Sequence, residues 1–251
     1  QRAGHKLRRA DKNRIQGKIQ IHEYLKLTQS GRPKIQIFNT CPNLIRELQS
    51  IPLDKAKPED VAHGIAWYAE AYEQCRAIAD RFSMPIHIVT GVVAALSPNN
   101  RWEINIRNAN DLICAFTTGS TMDDVSVCTY SAMKQKAWSI LEQMPDRYEE
   151  NDTLIVDEVK TILNGKKIVC FYENIMGDDT CTIDGHARNI AYNERVNLTD
   201  NKTSIGVKEY ANLQDAYRIA ASRCKVNGRR LKAYELQAIT WVTWRKLHGI
   251  A

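Results

Sequence analysis

From His63 to the end of the chain, apolar residues recur at helical spacing and almost nowhere at strand spacing. Side chains three or four positions apart share one face of a helix, so each such stripe is buried by packing on another element. Ile65, Tyr68, Ala69, Tyr72, Cys75, Ala79 and Phe82 form one stripe, which Pro85 ends. Val89, Val92, Val93 and Leu96 form a second, stopped by Ser97-Pro98. Trp102, Ile106, Ala109, Ile113 and Phe116 form a third. Tyr130–Met144 reads as a helix with Met133, Trp138 and Leu141 inward, and Leu154–Leu163, Lys167–Met176, Asp184–Tyr192, Val207–Arg223 and Arg229–Leu247 read as further helices. The expected fold class is therefore mainly α, with about nine helices, no internal repeat and no low-complexity segment.

The first sixty residues have another character. They carry 13 Lys/Arg against 6 Asp/Glu, whereas the remaining residues carry 22 against 23, so the net charge of +6 arises at the N-terminus. A helix is expected over Ile15–Leu27, a strand over Lys34–Phe38 and a helix over Pro42–Gln49, and Pro52, Pro58 and the charged run Asp54–Asp60 read as a linker. Two domains follow, 1–60 and 61–251. The chain opens on Gln1, as a fragment would. Hydrophobic content is an ordinary 43%, no apolar run approaches membrane-spanning length, and no stretch reads as a signal peptide. The seven cysteines include no Cys-x-x-Cys pair, which suits reduced thiols in a cytosol-like compartment. No metal site is expected; Asp178-Asp179 lacks a third ligand at useful spacing and reads as a loop.

The chemistry concentrates between Leu163 and Ile190. Asn164-Gly165 ends one helix, Lys166 and Lys167 open the next, and Asp184 opens a third, 17 residues after Lys167. Gly165 tolerates positive φ, so a tight helix end and a close backbone approach are expected there. An amine attacks a sugar carbon and a carboxylate stabilises the cation formed, so this pairing suits chemistry at a sugar C1′. The amine must be neutral to attack, which calls for burial or a neighbouring cation. Two solvated lysines and a helix-capping aspartate are the plain alternatives.

This stretch resembles the core of the helix-hairpin-helix DNA glycosylase superfamily, the endonuclease III and 8-oxoguanine glycosylase type. Gly165-Lys166-Lys167-Ile168-Val169 resembles the end of its Leu-Pro-Gly-x-Gly-x-Lys hairpin, and Ile183-Asp184-Gly185-His186 resembles its Val-Asp-x-His segment. Upstream, Ala94-Ala95-Leu96-Ser97-Pro98-Asn99-Asn100 is similar to the corner that supplies the residue filling the hole left by a flipped base. The resemblance implies a helix-hairpin-helix glycosylase-like domain acting on double-stranded DNA that carries a damaged or modified base or an abasic site, with or without abasic-site lyase activity. It implies Lys167 as nucleophile, with Lys166 open, and Asp184 as the stabilising carboxylate. It implies DNA contacts from Ser97, Asn99, Asn100, Arg101, Asn164, Gly165 and His186, with Asn99 as the wedge. The plain alternatives are that Ser97, Asn99 or Asn100 caps the helix that follows and that His186 anchors its helix. The four-cysteine iron–sulfur motif is absent, so no cofactor is expected.

Arg218, Arg223, Lys225, Arg229, Arg230, Lys232, Arg245 and Lys246 face a single Glu235 between positions 218 and 246, which makes them either a phosphate-facing strip or a solvated helix face. Arg229 and Arg230 are the contacts expected from it. Trp67, Tyr68 and Trp102 are expected in the core rather than stacked on a base, and Trp241 and Trp244 are expected to pack the last helix.

Asp11-Lys12-Asn13-Arg14-Ile15-Gln16-Gly17, His22-Glu23-Tyr24-Leu25, the run from Gly31 to Leu48 and Lys57-Pro58-Glu59-Asp60-Val61 resemble the C-terminal end of phage terminase large subunits. The closing nuclease carboxylate of that family has no counterpart here. Residues 1–60 are thus expected to be a short basic α/β remnant without an active site, and the resemblance implies the cytoplasm of an infected bacterium. A monomer is expected, and no membrane partner. Two other functions stay open: a DNA-binding module without catalysis, and a terminase-derived packaging or nuclease fragment that needs metal.

Overall fold

A computed structural model describes residues 56–143, 152–192, 195–198 and 204–250. The chain divides into two compact units, Gln1–Ile51 and Pro52–Ala251, and every described residue belongs to the second. The expected helix Ile15–Leu27, strand Lys34–Phe38 and helix Pro42–Gln49 lie outside the described residues.

Among the described residues are nine α-helices, one 3₁₀ turn (Met122–Asp124) and one short hairpin, so the protein is mainly α. They are α1 (Pro58–Phe82), α2 (Ile86–Leu96), α3 (Trp102–Thr117), α4 (Ser131–Gln143), α5 (Asp152–Leu163), α6 (Lys166–Ile175), α7 (Gly185–Tyr192), α8 (Val207–Arg223) and α9 (Ala233–His248). The strands β1 (Lys225–Val226) and β2 (Arg229–Arg230) pair antiparallel ahead of α9.

Pro58 fixes φ at the start of α1, and Glu59 and Asp60 complement the helix dipole there. Pro58 to Asp60 are therefore helix, not linker. Ser83 ends α1 in the left-handed conformation at φ 48°, and Pro85 then opens α2. The buried face of α1 holds Gly64, Tyr68, Ala71, Cys75, Ile78 and Ala79. That is a small rotation from the expected stripe: Ala69 is exposed, and Gly64 and Ala71 are inward. Gly64 decides the rotation, because a Cβ there would lie 2.5 Å from the Ile239 Cα of α9. Two helix backbones meet at this point, which only glycine permits.

α2 is apolar all round and is buried over nine of its eleven residues, as a helix with neighbours on every side must be. It packs on α1, α3, α4, α5, α6 and thereby organises one apolar core. A second core forms around Cys181, Ile183, Tyr210, Leu213, Tyr217 and Ile239.

Two local expectations are corrected. α9 begins at Ala233, not Arg229, because Asn227 (φ 50°) and Gly228 (φ 81°) form a tight turn between Val226 and Arg229. Asn-Gly with both φ positive is the turn that matches strand twist, and it diverts the preceding and following residues into a hairpin. Between α5 and α6 the left-handed residue is Asn164 (φ 43°); Gly165 is extended at φ −148° and is the N-cap of α6. Asparagine tolerates that conformation, so the turn closes one residue earlier than glycine alone suggests.

Candidate functional site

Helix α2 ends at Ser97-Pro98, which leaves its last carbonyls without helical partners. The Ser97 hydroxyl donates to the Ala94 carbonyl at 2.8 Å, Asn100 Nδ2 to Leu96 at 3.3 Å and Asn105 Nδ2, from α3, to Val93 at 3.0 Å. Thr129 Oγ1 donates to the Pro98 carbonyl at 2.7 Å and clamps the corner from outside. Asn99 stands exposed on that corner in the left-handed region, at φ 56°. The N-cap of α3 is Arg101, with no side-chain cap bond. Ser97, Asn99 and Asn100 therefore do not cap α3; Ser97 and Asn100 instead serve the end of α2.

The loop before α7 is fixed from both sides. Asn174 Oδ1 accepts from the Thr182 backbone N–H at 3.1 Å and its hydroxyl at 2.8 Å. Gln214 Nε2 donates to the Cys181 carbonyl at 2.8 Å, and the Ile183 N–H donates to the Tyr210 hydroxyl at 3.1 Å. These bonds satisfy a buried, irregular backbone and aim Asp184. Asp184 caps α7, with Oδ1 accepting from the Ala187 N–H at 2.7 Å, while Oδ2 accepts from Trp241 Nε1 of α9 at 3.3 Å. Capping and facing a neighbouring helix are thus both carried by one carboxylate.

These segments meet in a cleft of ≈ 450 Å³. Its lining includes Asn99, Asn100 and Arg101 from the corner, Lys167 from α6, and Asp184 and His186 from α7. Ser97 lines it too. Buried Tyr68, Asn105, Thr182 and Gln237 form its floor, while exposed Asn99, Arg101 and Lys167 stand at its mouth. The walls are aromatic. Trp67 lies 5.1 Å from Trp102, 6.0 Å from Phe171 and 6.3 Å from Trp241 between ring centroids. The Arg245 guanidinium sits 4.4 Å from the centroid of the Trp241 ring. Trp67, Tyr68, Trp102 and Trp241 were expected to be packing residues alone; they pack and also line the cleft.

Burial lowers the His186 pKa below its usual value; Asp184 opposes this, and Arg245 and Lys167 reinforce it. The imidazole is thus neutral at pH 7, and its Nδ1 has no hydrogen-bond partner. Burial pushes the Tyr68 hydroxyl well above the usual phenol range, so it acts as a neutral donor, here to Gln237 Oε1 at 3.1 Å.

Other expected site residues fall elsewhere. Lys166 is outside the cleft, its amine 5.9 Å from the Tyr210 ring centroid. Both lysines are exposed, so of the two routes expected to a neutral amine, burial and a neighbouring cation, burial is absent. Asn164 and Gly165 form the turn before Lys167 but do not line the cleft. Arg229 and Arg230 are on the hairpin, and Arg229 grips buried Glu235 with two bonds, of 2.8 and 2.6 Å. Arg218 pairs with Asp215 and Lys246 with Asp60. The basic strip is therefore broken up by carboxylates, Asp60 coming from the other end of the domain. Among the described residues no group of three His, Cys, Asp or Glu is placed to hold a metal ion. Among them, too, no helix is long and apolar enough to cross a membrane.

Residues 43–248 match DUF7178, a family of unknown function. The chain belongs to that family. The matched range includes every residue of the cleft except Ile250. No curated protein and no solved structure matches the chain.

Proposed function

We propose that this domain is a DNA base-excision enzyme of the helix-hairpin-helix glycosylase type, and that the cleft receives a base extruded from the duplex. One observation carries the reading: Asn99, Lys167 and Asp184, from three separate segments, line a single aromatic-walled cleft. Removing a base requires taking it out of the stack and holding its faces, and aromatic walls supply that contact. Asn99, exposed on a left-handed corner at the mouth, enters the gap left in the duplex.

Breaking the glycosidic bond leaves the electron pair on the departing base, which is then protonated, and a cation-like sugar behind. The Asp184 carboxylate, fixed by the Ala187 N–H and the Trp241 indole, stabilises that cation. Water then adds at C1′, or the Lys167 amine forms a bond to C1′, loses a proton and goes on to an imine as the sugar ring opens. Loss of the C2′ proton from that imine expels the 3′ phosphate and cuts the strand. Lys167 rather than Lys166 takes this role, since only Lys167 lines the cleft.

The second reading is a DNA-binding module without catalysis, and the exposure of Lys167 is what favours it. Borohydride trapping on a duplex with one abasic site separates the two. A covalent protein–DNA band that survives Lys166→Ala and disappears in Lys167→Ala is the expected result. Without a band, a glycosylase that releases bases from modified duplexes in an Asp184-dependent way retains the excision reading. Tight DNA binding with neither chemistry sinks it.

A further inference from the structure

Asn105 and Asn100 are among the cleft residues to which the excision chemistry gives no step. Asn105, in the first turn of α3, is 1% exposed and lines the cleft floor. Its Nδ2 donates to the Val93 carbonyl at the end of α2. A carbonyl only accepts, so the NH₂ side of the amide must face Val93 and the group cannot turn round. The other atom, Oδ1, is buried and has no partner. Asn100 repeats the pattern beside it: Nδ2 bonds the Leu96 carbonyl, and Oδ1 is buried without a partner. Buried acceptors without donors are uncommon because they destabilise the fold. Here Asn105 and Asn100 both line one aromatic cleft, as does His186, whose buried Nδ1 also has no partner. From α9, Gln237 also lines the cleft, and its Oε1 accepts from the Tyr68 hydroxyl.

We infer that Asn105 is the specificity-determining residue of the cleft: its Oδ1 accepts an N–H from the edge of a nucleobase held between the aromatic walls, with Asn100 Oδ1 as a second acceptor. The inference rests on reading the cleft as a base pocket. It deepens that reading by naming what the base must present, a hydrogen-bond donor at a fixed point. A base whose donating nitrogen is methylated is rejected, because the methyl group both removes the donor and leaves Asn105 Oδ1 unpaired.

The test uses the full chain and small bases, with no DNA. Ligand-observed NMR titrations compare 1-methyluracil, 1-methylcytosine, 9-methyladenine and 9-methylhypoxanthine, in which the methyl stands where the sugar attaches. Each is paired with an analogue methylated again at its donor nitrogen: N3 of uracil, N4 twice in cytosine, N6 twice in adenine, N1 of hypoxanthine. At least one parent base is expected to bind, and its donor-blocked partner to bind at least about tenfold more weakly. Asn105→Leu, which keeps the branch at Cγ and removes both polar atoms, is expected to weaken the parent to the level of its partner. Because that variant also removes the Val93 bond, the comparison on the unaltered chain stands without it. Equal binding of parent and partner overturns the inference, as does failure of all four parents to bind. Discriminating base binding by a chain that neither traps nor excises DNA upholds the inference and sinks the excision reading; excision without donor dependence does the reverse.

Discussion

At the residue scale, Asp184 has two jobs that a substitution can separate. One oxygen caps α7 and the other meets the Trp241 indole. Asp184→Asn keeps an oxygen for the Ala187 N–H but removes the charge. Base excision is expected to fall by about 10²–10³, the scale of losing one electrostatic stabiliser, while the fold loses only the Trp241 bond, about 1 kcal/mol, because an amide NH₂ cannot accept from the indole N–H. Asp184→Ala is expected to lose the cap as well, about 1 kcal/mol in a thermal melt. Equal excision rates in the Asn variant and the unaltered chain would leave Asp184 as a cap only. His186 reports on the same charges. Its folded pKa is depressed below the unfolded value, so its contribution to stability is complete above about pH 6.5 and is lost as pH falls through the folded value. Its NMR titration midpoint is expected below 6.5, and lower still in Asp184→Asn, since Asp184 is what raises it. Lys167 and Asp184 were marked in the sequence by their place at two successive helix starts, and both line the cleft. Asn105 was not legible: it sits within the polar pattern of α3, and its task comes from α2, which ends beside it only after folding.

At the element scale, the crossing of α1 and α9 sets the width of the cleft. α1 brings Trp67 and Tyr68 to it, and α9 brings Gln237, Ala238 and Trp241. The two helices approach at Gly64, where an added Cβ would meet the Ile239 backbone at 2.5–2.6 Å. Backbone yields far less than a side chain does. Gly64→Ala is therefore expected to push the helices apart and destabilise by about 1–3 kcal/mol in urea titration, despite the better helix propensity of alanine. Base binding is expected to weaken with it; a neutral or stabilising Gly64→Ala would mean that the crossing is loose. Most helices were legible from their period, because burial against any neighbour demands the same spacing. The rotation of α1 was not, since its cause lies on a helix 175 residues later. The hairpin was marked by Asn227-Gly228, although the basic run around it reads as the start of a helix.

At the scale of the whole molecule, the cleft lies along the join of the two apolar cores. Tyr68 and Ala238 belong to one core; Ile183 and Ala187, on either side of Asp184 and His186, belong to the other. A second tie spans the domain: buried Asp60, in the first turn of α1, pairs with Lys246 in the last turn of α9. The bond from Lys246 holds the Asp60 pKa below its usual 3.8, against the opposing effect of burial. A depressed carboxylate stabilises the fold above its unfolded pKa, and that contribution is lost as pH falls through the folded value. Acid unfolding is therefore expected to lose part of its pH dependence below about 4 in Lys246→Ala. At neutral pH that variant is expected to lose about 1–2 kcal/mol, less than a fully buried pair because Lys246 is half in water. An unchanged acid transition would show that the pair is incidental. The sequence by itself determined most of the helices and their order, because periodicity is local. Only the tertiary structure decided which aromatic residues face a cleft rather than a core, which basic residues keep a free charge, and that Lys167 rather than Lys166 enters the site. Each of these depends on partners brought from distant parts of the chain, and one turn of a helix is enough to exchange inside for outside.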